Sequence, residues 1–337
     1  MPTQTMVTCE TKVFDPADGF GAITDLAEIT DGTLAFRDGQ WWLFGAGQMA
    51  GFRSTQLFSA SLPAGLPLRA DGWQVTARIN NPSQVAVLTE HANSAAWDFG
   101  GGRHCPSWVR GFDPHTGRWV ERLYYAGSAE NLWGPYTIGY LEWDGAHWID
   151  QPHPVFVATE AWEHGSVFEP NVIYADGLWR MWYVAGSNME NYLVQGFAES
   201  ADGATGWSAH RIFAPDAMKM FDFAVTQISS GYEAVFSRVA LAPDSPPGAP
   251  GLWWCRADFP SSKLEHWSEP VQIMTAEDRG WHTGPWKPCL RFDEHTPARR
   301  FVFFDGTYKT NDPGPFPYAF TLGCLEIEGD PAPPASL

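Results

Sequence analysis

The segment Glu163–Trp207 reads EHGSVFEPNVIYADGLWRMWYVAGSNMENYLVQGFAESADGATGW, and its internal order decides the fold. A short strand opens at Glu169-Pro170 and runs to a turn at Asp176-Gly177. An aromatic strand follows from Trp179 to Val184, then a third from Tyr192 to Glu199, and a Ser-x-Asp-Gly turn closes on Trp207. Short runs rich in aromatic and β-branched residues, bounded by Gly-containing turns, are the mark of adjacent antiparallel strands. The stretch is one four-stranded unit.

Four other segments share the layout. DGTLAFRDG from Asp31 leads into WWLFGAG. CPSWV from Cys105 leads through Asp113 to Gly117, RLYYAG and a strand ending at Trp148. DFAV from Asp222 turns at Ser230-Gly231 into YEAVFSR and, after a Pro/Gly-rich excursion over residues 241–251, LWWCRADF. KPCLRF from Lys287 turns through Asp293 to Pro297 into RRFVFFDG and FTLGCLEIE. The units begin at residues 31, 105, 169, 222 and 287, roughly 65 residues apart. This repeat predicts an all-β chain forming a single five-bladed β-propeller over residues 1–330, each blade a four-stranded antiparallel sheet. Residues 6–14 (MVTCETKVF) alternate like a strand and are expected to pair with the last blade, closing the ring. The prolines of residues 331–337 lack ladder donors, so a disordered tail is expected there. One helical turn is expected, near Ala158–Trp162.

Composition narrows the function. The chain has 337 residues, 18 of them Trp, and a net charge of −18. Such a charge repels nucleic acid and anionic membrane surfaces, which leaves a small-molecule partner. No run reaches the ~18 apolar residues of a membrane helix and MPTQTMVTCE has no basic, apolar leader, so a cytoplasmic location is expected. Five scattered cysteines without a CxxC pair suggest neither a disulfide framework nor a zinc knuckle.

In a propeller the innermost strands line a central funnel, and the repeat brings Asp31, Cys105, Glu169, Asp222 and Lys287 to equivalent places there. Four of the five are charged. An unpaired buried charge costs several kcal/mol, so a polar cavity explains the ring better than a packed core. Structural alternatives stand beside this reading: Asp31 as a turn residue in TDGT, Cys105 as a small core residue, and Glu169 in an ion pair with Arg103 or Lys287.

The acid-Pro pair at Glu169-Pro170, the aromatic second strand and the Ser200 to Trp207 close, repeated along essentially the whole chain, resemble the five-bladed propeller glycosidases. That group includes arabinanases, β-xylosidases, arabinofuranosidases, invertases and fructan-acting enzymes. The resemblance implies a first-blade carboxylate as base or nucleophile, a second that orients and tunes, and a middle-blade Glu as acid, the reacting pair being roughly 5 to 9 Å apart across the sugar. Asp31, with Asp25 as fallback, matches the first. Glu169 matches the acid, and Asp222 an orienting or third carboxylate. The second blade departs from the pattern, offering His104-Cys105-Pro106 where the tuning Asp would stand, with Asp98 seven residues earlier on the long segment Asn80–Arg103. That segment is expected to lie over the funnel mouth.

His104, His164 and His282 each precede an innermost strand and are expected to reach the funnel and bind substrate, with Cys105, Lys287, Trp108 and Trp286. Trp97, Trp133, Trp162 and Trp281 are further candidates for the mouth. No protein-only metal site or other cofactor is expected; the resemblance allows one structural calcium near His282. Two other functions stay open: a cyclase, lyase or isomerase of specialised metabolism using His104, Cys105 and Lys287, and a non-catalytic binding propeller. The expected activity is glycosidase-like hydrolysis of a small glycoside.

Overall fold

The computed structural model describes residues 6–49, 54–90, 96–131, 133–187, 192–208, 210–238, 250–293, 296–308 and 319–329. Five antiparallel meanders account for nearly all of it. The first is β2 (Leu26–Arg37), β3 (Gln40–Met49), β4 (Thr55–Ser61) and β5 (Gln74–Val75), followed by a small hairpin of β6 (Ala77–Arg78) and β7 (Asn81–Val85). The second is β8 (Gly102–Asp113), β9 (Arg118–Ser128), β10 (Thr137–Trp143) and β11 (Trp148–Asp150). The third is β12 (Val167–Ala175), β13 (Leu178–Ser187), β14 (Tyr192–Ser200) and β15 (Arg211–Ala214). The fourth is β16 (Met220–Ile228), β17 (Gly231–Arg238), β18 (Gly251–Ala257) and β19 (Val271–Thr275). The fifth, β20 (Gly284–Asp293), β21 (Thr296–Tyr308) and β22 (Ala319–Glu328), takes its outer strand from the chain start: β1 (Met6–Phe14) pairs antiparallel with β22. The expected pairing of residues 6–14 is therefore present.

The first strands β2, β8, β12, β16 and β20 touch one another in cyclic order, β20 returning to β2, so the meanders form a closed ring. Large aromatics fill the spaces between them: Trp179, Trp182, Trp254, Tyr124, Tyr183 and Phe223 are fully buried. Trp119, beside the turn between β8 and β9, is 58% exposed.

Each innermost strand carries the same irregularity. Between Thr30 and Thr33, His104 and Ser107, Phe168 and Asn171, Phe221 and Ala224, and Trp286 and Cys289, it advances three residues against two on its neighbour, a β-bulge with one extra residue. The residue at each bulge has a left-handed backbone: Asp31 (φ 59°), Cys105 (54°), Glu169 (51°), Asp222 (56°) and Lys287 (46°). Beyond it stand Gly32, Pro106, Pro170, Phe223 and Pro288. Proline is tolerated because the innermost strand is a sheet edge, with no ladder partner toward the axis. Two residues past the bulge, side chains stitch neighbours together: Thr33 Oγ1 accepts from Trp108 N (3.4 Å), Ser107 Oγ from Val172 N (3.0 Å) and Asn171 Oδ1 from Val225 N (2.8 Å).

No α-helix occurs among the described residues. The helical turn appears as a 3-10 segment at Ala161–Glu163, and three more at Pro16–Asp18, Asp216–Met218 and Leu264–His266 had no helical periodicity to announce them. No helix is long and apolar enough to cross a membrane. The proline-rich tail and most of the 241–251 excursion lie outside the described residues.

Candidate active site

The bulges sort the funnel into three layers of five. Thr30, His104, Phe168, Phe221 and Trp286, each just before a bulge, line a cavity of about 650 Å³. The bulge residues form the floor. Asp31, Cys105 and Glu169 face that cavity, whereas Asp222 and Lys287 face a space of about 10 Å³ below, lined also by Thr33, Ser107, Asn171, Ala224 and Cys289. A left-handed residue costs on the order of 1–3 kcal/mol of strain, and the five such residues of the bulges lie at one level.

All five floor residues are buried, and they are wired to one another. Asp31 Oδ2 accepts from Cys105 N (2.9 Å), and Asp222 Oδ2 from Lys287 N (3.0 Å), so each carboxyl ties down the next meander's bulge. Lys287 Nζ lies 2.7 Å from Glu169 Oε2 and 4.0 Å from Asp222 Oδ1. Oxygens of Asp31 and Glu169 and the Cys105 sulfur lie within 4.8 Å of one another. Of the two partners proposed for Glu169, Lys287 is the one found; Arg103 instead pairs with Asp98 at 2.7 Å.

A sixth group completes the cluster. Asp305, fully buried on β21, accepts from Asp31 N (2.6 Å) and Thr30 Oγ1 (2.8 Å) through Oδ2. Sequence reading missed it because it lies on a second strand. Its signal was there: the residues paired with Thr30, His104, Phe168 and Phe221 are Ala46, Ala126, Val184 and Ser237, and only Trp286 faces an acid.

Burial, then the neighbouring Asp31, pushes the Asp305 carboxyl well above the usual range. Burial, then Glu169, does the same to Asp222 against the pull of Lys287. Asp222 Oδ1 and Asp305 Oδ1 lack a donor, and each side chain lies against a second carboxyl, an arrangement satisfied when one member of each pair carries a proton. Burial works against the Lys287 ammonium, but Glu169 and Asp222 outweigh it and raise its pKa. Burial, then Asp31 and Glu169, pushes the Cys105 thiol well up, which removes it as a ready nucleophile. His104 is held neutral by burial, with Nε2 at 3.0 Å from Gly101 O and 3.1 Å from Thr55 Oγ1.

Of the three histidines, only His104 lines the cavity. His164 is exposed, its ring stacked 4.2 Å from Tyr192 after the left-handed end of the 3-10 turn Ala161–Glu163. His282 is buried, with Nε2 at 2.9 Å from Glu10 Oε1 of β1, and secures the ring closure. Trp108 packs in the core between the first two meanders, and Asp25 accepts from Val85 N. Trp133 and Trp286 line the cavity; Trp97, Trp162 and Trp281 pack elsewhere, on Tyr125, Tyr183 and Phe304. No described residue of the segment 80–103 lines the cavity, whose walls come from Tyr136, Leu193, Pro250, Ala276, Pro285 and Phe320. Arg238 adds a cation to the wall, its guanidinium 4.5 Å over the Trp253 ring.

Neither metal arrangement fits well. His282 has one carboxylate partner, where calcium takes roughly six to eight oxygens. Asp31, Cys105 and Glu169 converge, but the Lys287 ammonium already lies 2.7 Å from Glu169.

No protein-family model matches the sequence, and no curated protein matches it. Solved structures do. The catalytic domain of a GH62 alpha-L-arabinofuranosidase from Coprinopsis cinerea is similar with a TM-score of 0.59 at 14% identity, over 94% of this chain and 95% of that one. A family 117 glycoside hydrolase from Zobellia galactanivorans gives 0.62 at 12%, over 96% and 90%. An alpha-L-arabinofuranosidase from Lactobacillus brevis gives 0.59 at 11%, over 92% and 94%. The chain thus has the fold of the arabinofuranosidase-like glycoside hydrolases, a superfamily of five-bladed β-propellers.

Proposed function

We propose that the protein is a glycosidase-like hydrolase, a single catalytic domain acting on a small glycoside through Glu169 as general acid and Asp31 as base or nucleophile. The observation that carries this reading is the floor of the cavity, where these two carboxyls stand with oxygens within 4.8 Å, shorter than the roughly 5 to 9 Å expected and nearer a retaining than an inverting spacing, each backed by a buried acid. Acid and base roles are separated by environments that split paired pKa values. Asp222 faces away from the cavity, so its proton reaches a substrate only through Glu169. Asp305 stands behind Asp31 in the same way and holds it by the Asp31 N–H.

On this reading a sugar lies on the floor with its glycosidic oxygen toward Glu169. Asp222 shares its proton with Glu169, which delivers it to the leaving oxygen. Asp31 attacks the anomeric carbon as the glycosidic bond breaks, and a water that gives its proton to Glu169 then hydrolyses the glycosyl ester; as base, Asp31 would instead take the proton of a water that attacks directly. Lys287 stays charged throughout, positioning Glu169 and Asp222. The test is hydrolysis of phenyl arabinofuranoside, xyloside, fructofuranoside, galactoside and mannoside by wild type, Asp31→Asn and Glu169→Gln. The expected outcome is turnover of at least one substrate, reduced on the order of 10³-fold or more by either substitution. Failure on every sugar would overturn the reading and favour the second one, a non-hydrolytic catalyst of an apolar substrate, to which the apolar wall is also suited.

A further inference from the structure

The layer above the carboxyls is a belt of rings. Tyr136 and Phe168 lie 5.4 Å apart between ring centroids, Phe168 and Phe221 6.2 Å, Phe221 and Trp286 6.0 Å, and Trp286 and Phe320 5.7 Å. Three of these, Phe168, Phe221 and Trp286, occupy the repeat position just before the bulge, so the backbone that aims the carboxyls also aims the rings. Three hydroxyls of the wall are committed inward, while Trp286 Nε1 has no acceptor among the described residues and Arg238 adds its cation. Thr30 Oγ1 donates to Asp305, Thr55 Oγ1 to Arg103 O (2.9 Å) and Thr283 Oγ1 to Thr307 O (2.9 Å).

A chain of sugars presents several hydroxyls per ring, and each one set against this wall without a partner would cost on the order of 1–3 kcal/mol. One sugar on the floor meets carboxyls. The next unit meets aromatic faces. We infer that the substrate is a glycoside of a single sugar with an aromatic aglycone, the aglycone lying on the Phe168–Phe221–Trp286–Phe320 belt and the sugar on Asp31 and Glu169. The inference rests on the glycosidase reading for the sugar alone; the belt binds an aromatic ring whether or not hydrolysis follows.

Titration calorimetry separates the two. Umbelliferone, an aglycone without sugar, and xylotriose, a sugar chain without aglycone, are titrated into wild type, Phe221→Leu, Trp286→Leu and the exposed control Trp119→Leu. Folding is checked by circular dichroism, and Phe168→Leu replaces either belt variant that fails to fold. Umbelliferone is expected to bind at least about tenfold tighter than xylotriose and to weaken by about tenfold in the belt variants, with the control unchanged. Tighter binding of xylotriose, no umbelliferone binding at millimolar concentration, or umbelliferone affinity indifferent to the belt variants would overturn the inference. Umbelliferone bound at the belt with no aryl glycoside hydrolysed would sink the glycosidase reading alone.

Discussion

Lys287 is the one cation on the floor of the site among the described residues, and its removal isolates the effect of charge. Lys287→Met leaves Glu169 and Asp222 buried side by side without a counter-ion, and a loss of roughly 3–5 kcal/mol in urea unfolding is expected. Adding Glu169→Gln should recover much of it, since both partners of the pair are then neutral; a double-mutant cycle showing no coupling would contradict the ion pair. Glu28 on β2 is a second sensitive group. Burial, then Asp31, raises it from 4.5 to about 7, and its Oε1 has no donor. The folded state holds this proton after the unfolded chain has released it, so the stabilising contribution is complete below pH 4.5 and is lost by about pH 7. Glu28→Gln should therefore be more stable than wild type at pH 8, on the order of 2 kcal/mol, and nearly equal at pH 4. Equal stability at pH 8 would show the carboxylate to be solvated. Four of the six clustered groups announced themselves in sequence as charges at a repeat position, and Cys105 did so by taking that place. Asp305 required knowing which residue pairs with which.

At the scale of elements, the bulge was legible only as a repeated position, not as a backbone shape. Glu169-Pro170 looks like a strand entry in sequence; the ladder shows a left-handed residue followed by a proline on an inner edge. The histidines illustrate the same limit. Proximity in sequence to an inner strand does not say which side of a turn faces the axis, and a left-handed His164 and a clamped His282 both turn away from the cavity. The β1–β22 pairing, by contrast, followed from alternation alone, because the last meander has only three strands of its own. Glu10 links this outer strand to His282. Glu10→Ala should cost about 1–2 kcal/mol in urea unfolding by leaving the buried imidazole without its bonded partner, without changing the affinity for any ligand of the funnel. A wild-type unfolding midpoint would mean the ring closure does not depend on that bond.

For the whole molecule, repeat period and aromatic content were enough for the architecture, because interfaces between stacked sheets need large apolar side chains at regular intervals. The site was less legible. Its floor could be marked residue by residue, but the walls come from strand starts at Leu193 and Phe320 and from loops at Tyr136 and Ala276, which carry no repeated residue type. Fold likewise does not fix chemistry: at 11–14% identity the glycoside hydrolases share the scaffold, and the reaction must be argued from the site. As general acid, Glu169 would deliver a proton to the leaving oxygen, and the leaving-group dependence of Glu169→Gln against wild type on dinitrophenyl and phenyl glycosides of the preferred sugar decides whether it does. A dinitrophenolate departs without protonation, so near wild-type turnover is expected on that substrate and a loss on the order of 10³-fold on the phenyl glycoside. Equal losses on both would contradict this and remove Glu169 from the role of acid.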